Sequence, residues 1–331
     1  MGNKAYFTFV EQVLHYFDRA HDAPTATSVS CEAAWRGDQM PALEQIAYVL
    51  SADEVAEIRH AVAAVMAGGM DARALSPADF PMPHLRERVT QWRSALTDGP
   101  GFQVVRGVPV GDWSQAEAEL FFWCLGLHLG RPGEQNPDGH LLGHVVDTGE
   151  DRRDPMVRLY KTSANIDYHC DAADVVGLLC LNKARSGGQS RIVSSVTVFN
   201  ELLARRPELA SRLFEPLNLD VRGDDTEGGG STLPVQPCCY AGGKLRTFYH
   251  ADYFRSAVRH PDVPPLSDLE QDLLDTYEAI ASEPGMYLDM DLQPGDIQLL
   301  SNHSILHART DYEDYADPSR RRHLLRLWLS L

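Results

Sequence analysis

Apolar residues recur at helical spacing in the first part of the chain and at strand spacing in much of the second. Residues 51–54 (Ser-Ala-Asp-Glu) have the form of a capping box, and the apolar stripe that follows predicts a helix ending at Gly68 and Gly69. A second capping box at 114–117 predicts a helix through about Leu127. A third box at 267–270 predicts another helix.

Shorter apolar runs bounded by Gly, Pro, Asn and Asp predict strands. These strands cover residues 101–107, 157–162, 175–182, 286–292 and 297–307. The glycine-rich stretch 223–231 is predicted to be a mobile loop. This periodicity favours a mixed α and β protein with a strand-rich core and flanking helices.

The C-terminal stretch predicts one more strand, with an unusual charged residue on it. Alternation places Arg326 on an otherwise apolar face, and Arg322 lies on the same face. A guanidinium in such a setting needs an anion beside it, either an acidic residue of the fold or a carboxylate held by two parallel hydrogen bonds. The opposite face carries Leu325, Leu327 and Leu329.

The candidate chemistry centres on His169 and Asp171, which are two residues apart. On a strand this spacing points an imidazole and a carboxylate to the same side, where both can reach one metal ion. With the distant His307 they supply two His and one carboxylate, the facial set by which non-haem Fe(II) oxygenases bind iron. Arg158 and Tyr160 share a face of the predicted strand at 157–162, where we expect them to line the pocket.

Alternative ligands remain open on spacing alone. His250 and Asp252 repeat the His-x-Asp spacing, and His303 shares strand parity with His307. Asp167 shares parity with His169 in the same way.

The order of several motifs narrows the choice, because together they resemble the taurine dioxygenase-like (TauD/TfdA) family of Fe(II)- and 2-oxoglutarate-dependent oxygenases. The resemblance begins near Gly101 and continues to the C-terminus. Its motifs are His169-x-Asp171, Gly187-Gly188-Gln189-Ser190, Leu292-Gln293-Pro294-Gly295-Asp296, Asn302, His307-Ala308-Arg309-Thr310, Arg322 and Arg326-Leu327-Trp328.

The resemblance implies a double-stranded β-helix, or distorted jelly roll, and assigns His169, Asp171 and His307 as the iron ligands. It also implies a cosubstrate, 2-oxoglutarate, which chelates the iron through one carboxylate and its keto oxygen. The far carboxylate is assigned to Arg326. The resemblance also places Ser190 at that far carboxylate and Arg322 at the chelating carboxylate.

The implied reaction consumes O2 and releases succinate and CO2 while a small polar or anionic molecule is hydroxylated or desaturated. The family pattern places Asn165 near this primary substrate. Asp171 keeps the carboxylate that related halogenases replace, so halogenation is not expected. The resemblance leaves open which molecule is oxidised.

Two other functions use the same residues differently. A zinc hydrolase also binds its metal through two imidazoles and a carboxylate, but leaves Arg326 without a purpose. A non-catalytic jelly-roll binding protein would have no reason to contain all three metal ligands. Production of succinate separates the oxygenase from both.

The net charge and the composition of the chain limit the partners that we expect. The formal net charge of −17 and pI of about 5.1 disfavour nucleic acids and anionic membranes as partners. Charged residues interrupt every long apolar run, so we expect neither a secretory signal nor a membrane span. The six cysteines show no framework of pairs, as is typical of free thiols in a reducing cytoplasm.

The chain length of 331 residues allows one large domain with an extension. We expect residues 1–98 to form a helical N-terminal extension packed on a jelly-roll domain of residues 99–331, the two making one structural unit. A homo-oligomer is left open.

Overall fold

The computed structural model describes residues 5–136, 138–150, 157–222 and 230–331. All three predicted capping boxes begin helices, at Ser51, Ser114 and Ser267, and a fourth box begins a helix at Thr8. The helices are α1 (Phe9–Phe17), α2 (Leu43–Ile46), α3 (Ala52–Gly68), α4 (Arg86–Thr97), α5 (Gln115–Leu129), α6 (Ser195–Arg205), α7 (Pro207–Arg212), α8 (Ala251–Ser256) and α9 (Asp268–Ala281).

The strands follow the same chain order. They are β1 (Tyr48–Val49), β2 (Phe102–Arg106), β3 (Arg131–Gly133), β4 (Leu142–Val145), β5 (Ile166–His169), β6 (Val175–Asn182), β7 (Ser186–Gly187), β8 (Ser190–Ser194), β9 (Leu217–Asp220), β10 (Thr232–Val235), β11 (Cys238–Ala241), β12 (Lys244–Thr247), β13 (Tyr287–Met290), β14 (Ile297–Ser301), β15 (Ile305–Arg309), β16 (Tyr312–Glu313) and β17 (His323–Ser330).

Two sheets build the core. The larger has the order β1-β2-β14-β6-β17-β3, with β4 also paired to β17, and the smaller has the order β13-β8-β15-β5. Apolar residues of both sheets pack into one cluster between them, including Leu300 and Trp328 from the larger and Ile192 and Met290 from the smaller. This arrangement confirms the predicted distorted jelly roll.

Helices cover the outer face of each sheet. The alternating leucines of β17, Leu325 and Leu327, pack with α3, α4 and α5 on the larger sheet. On the other side, Val193 and Leu306 of the smaller sheet pack with α6, α7 and α9. Alternation along each strand therefore sends one set of side chains to the helices and the other set between the sheets.

The predicted strand at 157–162 is wrong. Residues Leu159–Lys161 form a short 3-10 helix, and the Thr162 hydroxyl donates to the Leu159 carbonyl oxygen at 2.9 Å. The Leu159 carbonyl oxygen is thus used in a local turn and not in a strand pairing. Strand alternation therefore does not set the directions of Arg158 and Tyr160.

The predicted strand at 297–307 is two strands. A turn between Ser301 and Ser304, closed by a backbone hydrogen bond of 3.3 Å, carries the chain from β14 in the larger sheet to β15 in the smaller. Parity is lost at this turn, which removes the basis for equating His303 with His307.

The N-terminal part joins the core at several points. Strand β1 pairs with β2 in parallel, and Phe7 forms an isolated parallel bridge to Gly133 of β3. Residues of α3 and α4 share an apolar cluster with β17 and α5. A division at residue 98 stays a prediction, and the described residues on both sides of it share one core.

Most of the predicted loop at 223–231 lies outside the described residues. Across the described chain, no helix combines the length and the apolar character that a membrane crossing requires.

Candidate active site

His169 and His307 face each other across neighbouring strands. The pairing of β15 with β5 places them directly opposite, and their ring centres are 4.1 Å apart. Asp171 follows two residues after His169, and one ligand atom from each of the three side chains lies within 4.8 Å of the others. Among the described residues, this is the group with the donors and spacing of a metal site.

The His169 ring is oriented by its own strand. Its Nδ1 lies 2.9 Å from the Asp167 carbonyl oxygen, so the Nδ1–H form leaves the Nε2 lone pair for a metal. That Nε2 is 4.0 Å from Asp171 Oδ1, and His307 Nε2 is 3.8 Å from Asp171 Oδ2. The three donors therefore converge around a common point.

Several groups hold the Asp171 carboxylate in place. The Trp328 indole N–H donates to Oδ2 at 3.0 Å, and Arg326 Nη1 lies 3.6 Å from Oδ1. The Asp171 backbone N–H donates to Asn302 Oδ1 at 3.0 Å, and the Asn302 amide nitrogen donates to the Ala173 carbonyl oxygen at 2.8 Å. Such outer contacts set ligand orientation and tune metal affinity.

The surroundings keep these ligands in their metal-binding protonation states. Burial, with the neighbouring His169, lowers the pKa of His307 to about 3, which favours the neutral imidazole. Burial alone would raise the pKa of Asp171, but Arg326 and the two imidazoles hold it below its ordinary value. A neutral His and an ionised carboxylate are the forms that coordinate a metal.

Arg326 is anchored by a reciprocal contact with Gln135. Arg326 Nε donates to Gln135 Oε1 at 2.8 Å, and the Gln135 amide nitrogen donates to the Arg326 carbonyl oxygen at 2.8 Å. The guanidinium carbon lies 4.7 Å from the centre of the Tyr160 ring. Arg326 is therefore fixed directly beside the Asp171 carboxylate.

Arg309 and Arg322 form a second cationic centre. Both are buried, and both lie over the Tyr312 ring, at 4.9 and 5.2 Å from its centre. Neither guanidinium forms an ion pair within the described residues, and Arg309 Nε and Nη1 and Arg322 Nη1 have no hydrogen-bond partner there. Burial and the charge of Arg322 lower the pKa of Arg309.

Ser190 lies at this second centre. Ser190 of β8 pairs directly with Arg309 of β15. Two residues further along β8, Ile192 pairs with His307. Two residues of strand separate these levels by about 7 Å. The Ser190 hydroxyl donates to Gln298 Oε1 at 2.9 Å.

A cavity of about 670 Å³ opens beside the metal ligands. His169, Asp171 and Arg326 lie in its wall, together with Arg158 and Tyr160. Helix α1 supplies an apolar side to the cavity through Phe9, Val10, Val13, Leu14 and Phe17. A pocket of this size and mixed lining suits a small organic molecule with a charged group.

The donor set fits Fe(II). Two neutral imidazoles and one carboxylate on one side of an ion leave its other coordination positions for further ligands. His307 Nδ1 is buried without a hydrogen-bond partner in the described chain, so the orientation of that ring depends on its packing and on coordination through Nε2.

Comparison with known proteins decides the family. The profile described as taurine catabolism dioxygenase TauD, TfdA family matches residues 67–328. The chain belongs to the TauD/TfdA family. It is therefore a non-haem Fe(II)- and 2-oxoglutarate-dependent oxygenase that uses O2, and the expected enzyme class and cofactors are confirmed.

Curated relatives of the family match over most of their length. FR-33289 synthase of Streptomyces rubellomurinus is 31% identical over 312 residues, which cover 92% of this chain and 90% of the relative. Uridine-5'-phosphate dioxygenase of Amycolatopsis is 26% identical over 273 residues, covering 77% of this chain and 93% of the relative.

Solved structures share the fold at low identity. Asparagine oxygenase in complex with Fe(II), 3-hydroxyasparagine and succinate superposes with a TM-score of 0.66 at 16% identity, over 86% of this chain and 93% of that chain. The oxygenase OrfP in complex with Fe and α-ketoglutaric acid gives a TM-score of 0.63 at 16% identity, over 86% and 94% of the two chains.

The other candidate ligands of this TauD/TfdA member do not join the group of His169, Asp171 and His307. His303 Nε2 lies 2.8 Å from Asp174 Oδ1, away from the three converging donors. His250 does approach His169, with ring centres 5.1 Å apart, but Asp252 lies on α8 and the pair does not join the metal group.

Two of the three expected substrate contacts lie in the cavity wall, and the third does not. Arg158 and Tyr160 line the cavity, whereas Asn165 is exposed, donates to Asp167 Oδ1 at 2.6 Å and lies outside the cavity lining. Arg309 was not singled out as a site residue by the sequence pattern. Its two-residue spacing from His307 on the same strand is the signal that points to it.

Proposed function

We propose that this oxygenase hydroxylates or desaturates a small anionic molecule and releases succinate and CO2. The observation that carries the proposal is the convergence of His169, Asp171 and His307 beside a cavity with arginines in its wall. One relative and one structural neighbour support it: the relative is named as a dioxygenase of uridine-5'-phosphate, and the neighbour was solved with a hydroxylated amino acid and succinate.

We propose that the three converging side chains hold the iron. When bound, Fe(II) and 2-oxoglutarate supply the oxidising chemistry that activates O2 and removes hydrogen from the substrate. His169 and His307 act as neutral ligands, and the Trp328 and Arg326 contacts keep the Asp171 carboxylate ionised and oriented. The apolar side of the cavity excludes water from the bound substrate.

The distances favour an exchange of the two arginine roles expected from the resemblance. Arg326 lies 3.6 Å from an iron ligand, close to where the chelating carboxylate of 2-oxoglutarate would sit. Ser190 and Arg309 lie two strand residues away from the metal level, or about 7 Å. Arg322 shares the Tyr312 ring with Arg309 and approaches the turn before Ser190.

We therefore propose that Arg322 and Ser190 bind the far carboxylate of 2-oxoglutarate. Arg326 binds the carboxylate that chelates the metal. A five-carbon diacid has the length to connect these two levels. Arg309 adds a second buried positive charge at the far end.

The reducing cytoplasm remains our proposed location for the enzyme. All six cysteines are unpaired, and five of them are buried. The described residues therefore form no disulfide that would need an oxidising compartment.

An anaerobic titration of 2-oxoglutarate into the Fe(II)-loaded protein tests the proposal. The chelate should give a visible charge-transfer band that saturates. Arg322→Gln should weaken 2-oxoglutarate binding about tenfold or more, because a charged hydrogen-bonded contact is lost. Iron binding without a band would refute the 2-oxoglutarate assignment, and turnover without succinate would favour the zinc hydrolase.

A truncated cosubstrate separates the two arginine roles. 2-Oxobutyrate has the keto acid group but no far carboxylate, so Arg322→Gln should leave its affinity unchanged. Arg326→Gln should weaken 2-oxobutyrate and 2-oxoglutarate alike. The reverse pattern would restore Arg326 to the far carboxylate.

A further inference from the structure

A second set of cationic and aromatic side chains lines the same cavity. The guanidinium carbon of Arg222 lies 4.1 Å from the centre of the Tyr253 ring, and that of Arg158 lies 5.6 Å from it. Arg158 Nη1 donates to the Tyr253 hydroxyl oxygen at 2.6 Å. All three side chains are in the cavity wall.

The charge of Arg222 is not matched by a carboxylate in the described part of the chain. Its buried Nε has no hydrogen-bond partner there, and its side chain forms no ion pair there. Asp220 is close, but it accepts from Arg222 only through the backbone N–H, at 3.0 Å.

The Asp220 carboxylate is already engaged by other groups. It accepts from Arg259 Nε at 2.7 Å and from Ser256 Oγ at 2.8 Å, and it lies 3.1 Å from His260 Nε2. A guanidinium that is partly removed from water and has no counter-ion among the described residues favours binding of an anion from solution.

The backbone at Arg222 is held in an unusual conformation. Its φ of 47° lies in the left-handed region, where a non-glycine residue is disfavoured. The hydrogen bond from its N–H to Asp220 Oδ1 maintains this geometry. Such positions persist where the surrounding structure imposes them, and they concentrate at functional sites.

Ring contacts connect this cluster to the metal side of the cavity. Tyr253 stacks on His250 with ring centres 3.7 Å apart, and the His250 ring lies 5.1 Å from that of His169. A molecule anchored at Arg222 therefore lies in the cavity that reaches the metal ligands. Its body has the apolar side formed by α1 to pack against.

We propose that Arg222, together with Arg158 and the Tyr253 hydroxyl, binds a phosphate or phosphonate group of the primary substrate. The proposal rests on the oxygenase function proposed above, and it names the substrate class of that site. Two planar guanidinium forks and a hydroxyl match a doubly charged tetrahedral group with three oxygens better than they match a carboxylate.

Calorimetric titration with methylphosphonate tests the site. The titration uses metal-free protein and, under nitrogen, protein loaded with Fe(II) and 2-oxoglutarate. Wild type should bind methylphosphonate in both forms and should bind acetate more weakly. Arg222→Gln should weaken methylphosphonate binding about tenfold or more, as expected for loss of a charged contact.

Lys161→Gln is the matched control, because Lys161 lines the same cavity but is paired with Glu150 at 3.4 Å. Its affinity for methylphosphonate should change less than about twofold, since exposed paired charges contribute little. Arg222→Lys keeps the positive charge and should recover part of the affinity. Unchanged melting temperatures in these variants confirm that folding is not the cause.

Three results would overturn the proposal: no methylphosphonate binding by wild type, equal binding by Arg222→Gln, or binding that requires Fe(II). The absorption band of the Fe(II)–2-oxoglutarate complex provides an independent reading. It should remain in Arg222→Gln. Its absence from wild type would refute the oxygenase function, while the titration of metal-free protein would still report on the anion site.

Discussion

The indole nitrogen of Trp328 donates a hydrogen bond to Asp171 Oδ2 at 3.0 Å. Trp328 belongs to the larger sheet, and Asp171 lies two residues after the end of β5 in the smaller sheet. The contact therefore joins the two sheets at the metal site. Through this contact the last strand of the chain supports Asp171, a residue 157 positions earlier.

Replacing Trp328 with Phe should weaken metal binding while keeping an aromatic ring in the intersheet core. Loss of an outer contact to a metal ligand typically lowers affinity about 10- to 100-fold. The measurement is a competitive titration of Fe(II) or Mn(II). Trp35→Phe is the control, because Trp35 packs in the same core but donates to the Pro100 carbonyl oxygen. Equal metal affinity in both variants would contradict the role of the indole.

Gln135→Met should impair cosubstrate binding by releasing Arg326. The substitution removes the acceptor for Arg326 Nε and the donor to its carbonyl oxygen. We expect the Kd for 2-oxoglutarate to rise about three- to tenfold, in line with the loss of one or two hydrogen bonds. Gln91→Met on the exposed face of α4 is the control. An unchanged Kd would show that Arg326 does not need Gln135.

Gly188→Ala should disturb the far carboxylate site. A Cβ at Gly188 would lie 3.0 Å from Arg322 Nε, and the φ of +71° disfavours any side chain. Gly69→Ala is matched for backbone strain, with a φ of +62°, but a Cβ there meets nothing within 4 Å. Both variants should lose about 1–2 kcal/mol of stability.

The two glycine variants should differ in function. Gly188→Ala should raise the Kd for 2-oxoglutarate about fivefold or more, because Arg322 must move. Gly69→Ala should leave it unchanged. The absorption titration measures both, and a common effect would mean that strain alone is responsible.

Asp220 should make the stability of the protein depend on pH in the acid range. Burial opposes ionisation, but hydrogen bonds from Arg259 and His260 hold the pKa of Asp220 below its ordinary value. The resulting stabilisation is complete above the unfolded-state pKa of about 4 and is lost as the pH falls below it. Asp220→Asn should therefore lower the free energy of unfolding by about 3 kcal/mol at pH 7, because Arg259 loses its charged partner.

Urea unfolding at pH 7 and pH 3 measures this difference. The difference in free energy of unfolding between wild type and Asp220→Asn should be smaller at pH 3 than at pH 7. Asp98→Asn is the control, since Asp98 pairs with Lys244 on the surface and should contribute less than about 1 kcal/mol. A gap of equal size at both pH values would show that the Asp220 charge is not responsible.

The local features of this protein follow directly from its amino-acid sequence. Capping boxes at Ser51, Ser114 and Ser267 placed three helices, because the residues that make a cap lie within one turn of each other. The spacing of His169 and Asp171 indicated a shared metal for a similar reason, since two residues of strand fix the direction of both side chains. The ordered motifs then pointed to the family.

Which distant residues meet depends on how the strands and turns pack in three dimensions. The turn at 301–304 moves the chain from one sheet to the other, which sends His303 to Asp174 and His307 to the metal site. Strand parity describes one segment at a time and does not survive such a turn.

The roles of the arginines likewise cannot be read from strand parity within one segment. Arg322 and Arg326 share a face, yet one lies beside Tyr312 and the other beside Asp171. Arg222 comes near Tyr253 through the packing of α8 against β9. Charge and geometry at the site arise from contacts between segments far apart in sequence, and periodicity within each segment carries no information about those contacts.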